Sequence, residues 1–215
     1  MSENNEVTLR HPGGEATFPI LDASDGNSSV DIRSFTKQTG MTAYDPAFVN
    51  TASTASNITY IDGDKGILRY RGYPIEQLAR NSTFLEVAWL LIYGELPTAD
   101  QLAQFDHTVR RHTLLHEDLK RLFDALPHSA HPMSVLSSAV SALSTYYGDS
   151  LDPKDPEQVD ISTIRLLAKL PVIAAYAHKK SIGQALLYPD NDRGFIDNFL
   201  WLNFGLMAEP YEVNP

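Results

Sequence analysis

The spacing of apolar residues changes character along this chain. Up to about residue 57 they come in short alternating runs such as "VTLRH" and "ATFPIL", broken by Gly, Pro, Asn and Ser; from Pro74 onward they recur with a helical period. This predicts a β-containing lead-in over residues 1–57, a β-hairpin over 58–73 and a helical body over 74–215, with no linker long enough to separate two domains. Within the body, Thr83 followed by Glu86 forms a capping box, "FLEVAWLLIY" is apolar nearly all round, and Gly94 stops it, so this helix is expected to be buried. Pro97-Thr98 with Gln101 starts a second run that continues to Pro127 as one long helix or two shorter ones. "HPMSVLSSAVSALSTYY" begins at Pro132 and is thin, through Ser137, Ser138, Ala139, Ser141, Ala142 and Ser144, so it suits close helix packing. "EQVDISTIRLLAKLPVIAAYAHKKS" is amphipathic and is expected to kink or break at Pro171; "FIDNFLWLNFGLM" follows the turn "YPDNDRG". The fold class is therefore mainly α with a minor β part.

The segment "YIDGDKGILRYRG" looks at first like a ligand loop. A calcium loop starting at Asp62 would put Gly66, Ile67 and Tyr73 where a ligand, a glycine and a glutamate are needed, and Gly63, Gly66 and Gly72 match neither phosphate-loop pattern. Two short strands joined by a Gly/Asp turn account for it.

Charge narrows the partners. Seventeen Lys+Arg stand against 27 Asp+Glu, a formal charge of -10, which argues against nucleic acid or an anionic membrane surface. With no cysteine there is neither disulfide nor thiolate chemistry. The start, "MSENNEVTLRHPGG", has no apolar run and is not read as a signal peptide, and no stretch is apolar enough for a membrane span, so the cytoplasm is the expected compartment.

Two groups of residues raise the question of a site. His112, His116, His128 and His131 fall close together, with His112 and His116 at i, i+4, but the glutamate that zincin patterns require is replaced by Thr113 or Leu115; no metal site is predicted. Arg110, Arg111 and His112, with Arg165 and Lys169 one turn apart on a later helix, are the densest basic points in an acidic chain. Such a pair suits a phosphate or carboxylate ligand, the plain alternative being a solvated face with acidic partners.

The order of stretches carries more than any one of them. "YDPAFVNTASTASNITYIDGDKGILRYRGYPIEQLA", "RRHTLLHEDLKRLF", "HPMSVLSSAVSAL", "IRLLAKLPVIAAYAHKKSIGQ", "YPDND" and "AEPYEVNP" together closely resemble bacterial citrate synthase, from about Tyr44 onward. The resemblance implies a citrate-synthase-like multi-helical fold and condensation of oxaloacetate with acetyl-CoA, followed by hydrolysis to citrate and CoA, without a cofactor. In that family an aspartate deprotonates the acetyl methyl, two histidines stabilise the enol and polarise the carbonyl, and arginines hold the carboxylates. Family members are about twice this long, and this chain is expected to be the amino-terminal half, inactive alone, with those catalytic groups beyond Pro215.

Two features carry over by match. The helix after "HPM" resembles the family's dimer-interface helix, which assigns Ser138, Ala139 and Ala142 to a homodimer, or to a hexamer built as a trimer of dimers. Some hexameric relatives are inhibited by NADH, and the matching positions here are Arg111, His112, Thr113, Tyr147, Arg165 and Lys169; Leu114 and Ala208 stand where those relatives have methionine and cysteine. Two other readings stand beside this one: a 2-methylcitrate synthase using propionyl-CoA, and a non-catalytic helical module for dimerisation or nucleotide binding.

Overall fold

The structure, a computed structural model, describes residues 5–214, so the first four residues of the lead-in and Pro215 lie outside the described residues. It forms two compact units, Met1–Ser82 and Thr83–Pro215.

In the first unit, β1 (Glu6–His11) and β2 (Gly14–Leu21) pair antiparallel with Val7 opposite Phe18, and β3 (Ser29–Val30) lies on the other side of β2. Alternation along "ATFPIL" turns Ala16 and Phe18 to one buried face, where the Phe18 ring meets Phe35 of α1 (Phe35–Thr39) at 5.6 Å between centroids. The predicted hairpin is formed by β4 (Thr59–Asp62) and β5 (Ile67–Tyr70), with β6 (Tyr73–Pro74) as a short third strand. Asp62 closes its turn by accepting the Lys65 N–H at 3.1 Å, and Gly66 takes the left-handed φ of 65° that the turn requires. Helix α2 (Ile75–Asn81) follows.

The second unit is helical. Helix α3 (Phe84–Tyr93) has the predicted capping box, with Thr83 N–H donating to Glu86 Oε2 at 2.6 Å, and it stops at Gly94 with φ 96°. Thr98 and Gln101 box α4 (Ala99–Arg111) in the same way. The remaining helices are α5 (Glu117–Ala125), α6 (Pro132–Leu143), α7 (Pro156–Ser181) and α8 (Phe195–Phe204). The long α7 is the axis of the unit, and α4, α5, α6 and α8 all pack on it. One core gathers Phe123, Ala139, Leu143, Val172, Ile173, Tyr176 and Leu202; a second gathers Leu85, Phe105, Val109, Ile164 and Ala168.

The run from Thr98 to Pro127 takes the second of its two expected forms, two shorter helices, because the chain leaves the helix at His112 and re-enters at His116. Two other details differ from the helical pattern read along the chain. Helix α7 continues through Pro171, since Ala168, Val172, Ile173 and Tyr176 around it are buried and their packing outweighs the lost backbone bond. Helix α3 buries only Leu85 and Leu90, while Phe84 is 53% exposed and stacks on the Phe195 ring at 5.0 Å. Among the described residues, no helix is long and apolar enough to cross a membrane.

Candidate functional site

Helix α7 brings Arg165 and Lys169 to one face, as their i, i+4 spacing requires, and both cations look onto the Tyr147 ring. Arg165 Cζ lies 4.5 Å from the ring centroid and Lys169 Nζ 5.3 Å. Arg165 also donates to Ser150 Oγ at 2.6 Å and to Asp149 Oδ1 at 3.2 Å. That guanidinium holds the Asp149 carboxyl below the usual carboxylate range, while burial pushes the Tyr147 hydroxyl up.

Lys169 is only 3% exposed, and Nζ donates to the carbonyls of His112 and Leu114, each at 2.6 Å. Those carbonyls lie just past the end of α4, where helix carbonyls lack intrahelical partners and the helix pole is negative, so the lysine acts as a C-terminal cap reaching over from α7. Burial first, and the Arg165 charge second, hold its ammonium down to about 8. Thr113 is buried beside it and donates to the Arg110 carbonyl at 2.9 Å.

Five of the six residues singled out for an effector are thus held in one bonded cluster or directly beside it. Arg111 differs: its side chain is exposed, and no carboxylate among the described residues lies within ion-pair distance. Asp149 and Ser150, the partners of Arg165, escaped the sequence reading, although their place directly after Tyr147-Gly148 was the available signal. The cavity lined by Arg110, Thr113, Pro171 and Asn198 holds about 10 Å³, room for one water.

The dimer residues are divided. Ser138 is exposed and Ala142 half-buried, whereas Ala139 is 0% exposed within the chain's own core. Ala139 therefore serves contact within this chain, and the solvent face of α6 consists of Ser134, Ser137, Ser138 and Ser141 with Met133.

The histidines have separate structural tasks. His112 Nδ1 bonds the Thr108 carbonyl at 2.8 Å, His128 Nδ1 bonds the Lys180 carbonyl at 2.7 Å, and His116 and His131 cap α5 and α6. Among the described residues, no three His, Asp or Glu side chains come together as metal ligands would. A second buried lysine went unnoticed in the sequence: Lys179, 1% exposed, donates to Gln184 Oε1 and to the Gly205 carbonyl, both at 2.6 Å.

Known proteins share this chain's sequence and fold. The family model described as "Citrate synthase, C-terminal domain" matches residues 47–215. Citrate synthase 1 of Mycobacterium tuberculosis is 60% identical over 212 residues, 99% of this chain and 49% of that protein. Citrate synthase of Corynebacterium glutamicum is 51% identical over 214 residues, 100% of this chain and 49% of that protein. Among solved structures, citrate synthase from Pyrobaculum aerophilum superposes with a TM-score of 0.68 at 29% identity, covering 98% of this chain and 47% of that one. The chain spans about half the length of the curated relatives it matches.

Proposed function

The chain belongs to the citrate synthase family, and from that premise we propose that it is the amino-terminal part of an enzyme that condenses oxaloacetate with acetyl-CoA and water, giving citrate and CoA in the tricarboxylic acid cycle. The observation that carries this reading is identity of 60% across 99% of the chain to a protein named citrate synthase 1. The reaction needs a base for a very weakly acidic methyl group and donors for the developing enolate, in a site that excludes water. Those groups belong to the rest of the enzyme. This chain's part is the scaffold around α7 and, through the exposed serine face of α6, pairing with a second copy in the cytoplasm.

Steady-state release of CoA thiol by the product of the natural gene tests the proposal. Turnover with oxaloacetate should be at least tenfold faster on acetyl-CoA than on propionyl-CoA. A preference for propionyl-CoA would move the enzyme to 2-methylcitrate synthesis, and no turnover on either would leave the helical module as the reading.

One observation favours a regulatory role beside the scaffold. The Arg165 guanidinium lies over the Tyr147 ring and Arg111 is exposed at the end of α4, which suits a ligand that carries both phosphates and a flat base, while buried Lys169 holds the end of α4 in place. NADH is the effector we assign to it. Millimolar NADH should inhibit the natural gene product and slow hydrogen exchange over residues 111–114 and 147–150; absence of both effects would remove the assignment.

A further inference from the structure

Helices α5 and α6 both begin on a histidine. His116 Nδ1 accepts the Asp118 N–H at 3.1 Å, and His131 Nδ1 accepts the Met133 N–H at 3.2 Å. A ring nitrogen that accepts a backbone N–H carries no proton, so only the neutral imidazole, protonated at Nε2, can do this work. Binding a second proton replaces the acceptor with a donor and sets a positive charge at the positive pole of a helix.

The two caps are not equivalent. The first turn of α5 carries Glu117 and Asp118, the Asp118 carboxylate lies 3.7 Å from His116 Nδ1, and the His116 ring stacks on Tyr146 at 4.8 Å. A proton on His116 therefore gains an ion pair as it loses the cap. The first turn of α6 carries no acidic residue, and Pro132 has no N–H, so the Met133 N–H is its first free donor. Among the described residues no carboxylate lies within ion-pair distance of His131. On the elements packed against α6, Asp124 of α5 and Lys180 of α7 pair with each other at 3.4 Å, and His128 is engaged at the Lys180 carbonyl.

We propose that this asymmetry makes the start of α6 acid-labile: protonation of His131 opens the first turn of α6 while α5 stays capped. The opening is confined to residues 131–134, because Val135, Ala139 and Leu143 anchor the rest of the helix in the core.

Hydrogen exchange at pH 7.5 and pH 5.5, corrected for intrinsic rates, tests this on the chain as it stands. Opening over residues 131–134 should increase about fivefold at the lower pH, the scale of one lost cap, while residues 116–120 change little. His131→Asn and His131→Asp both keep an acceptor that holds no proton in this range, and both should abolish the increase; His116→Asn should leave it intact. An unchanged wild-type rate, or the same increase in the two His131 variants, would overturn the proposal.

Discussion

Replacing Lys169 by methionine isolates the contribution of a buried charge that has no carboxylate partner. Burial lowers the folded-state value to about 8 from the ordinary 10.5. Between those values the unfolded chain holds more protons than the folded one, so stability rises with pH, and below the lower value the cost of the buried charge is fully present. At about 1.4 kcal/mol per pH unit, the gain between pH 7.5 and 9.5 is about 2 kcal/mol. Lys169 is 3% exposed, so solvent screening does not reduce this much. Methionine keeps the apolar stem but leaves the His112 and Leu114 carbonyls without a donor, which costs about 1–3 kcal/mol for each one kept from water; removing the buried charge offsets part of that. The variant should therefore be less stable than wild type at pH 7.5 by about 1–3 kcal/mol, with the gap wider by about 2 kcal/mol at pH 9.5. Urea unfolding of both proteins at the two pH values gives the numbers. Lys179, lowered by burial in the same direction, is present in both proteins and cancels in the difference. A gap that stays constant or narrows with rising pH would refute the reasoning.

Gly205→Ala should lower stability by about 1–3 kcal/mol, because a Cβ there would clash with the Trp201 ring and with the Trp201 backbone carbonyl; a melting temperature equal to wild type would contradict this. Thr83→Ala removes both bonds between the Thr83 hydroxyl and Glu86, leaving the Thr83 N–H on the Glu86 carboxylate, and should cost about 1 kcal/mol in chemical unfolding, against no change if the hydroxyl cap is incidental. Ser138→Arg places a charge on the exposed face of α6 without touching the core and should shift sedimentation from dimer to monomer; an unchanged dimer would move the interface elsewhere. The isolated chain should bind a hydrophobic dye, since Ile196, Phe204 and Met207 are 49%, 57% and 80% exposed, and a dye-silent chain would contradict this.

Much of the helical framework can be read directly from local chemistry. Capping boxes at Thr83 and Thr98, the stop at Gly94 and the Gly/Asp turn of the hairpin each depend on residues a few positions apart, and each forms as that chemistry requires. What escaped reading depends on distant partners. Pro171 looked like a kink or a break because its local cost is visible, whereas the burial of Val172 and Tyr176 around it is a tertiary fact. The site divides in the same way. Arg165 and Lys169 could be paired from their spacing, but the carbonyls that hold Lys169 lie 57 and 55 positions away. The thin composition of α6 suggested one close-packed face, and it took the structure to show that Ala139 packs inward while Ser138 faces solvent.

The central claim is that this chain is one part of a working synthase. It is tested most directly by fractionating the native cell extract for oxaloacetate-dependent release of CoA from acetyl-CoA, then measuring the intact mass of the polypeptide that carries this sequence. The account predicts that activity co-purifies with a polypeptide of about twice 23.9 kDa. Recovery of the sequence only in an inactive polypeptide near 23.9 kDa would contradict it.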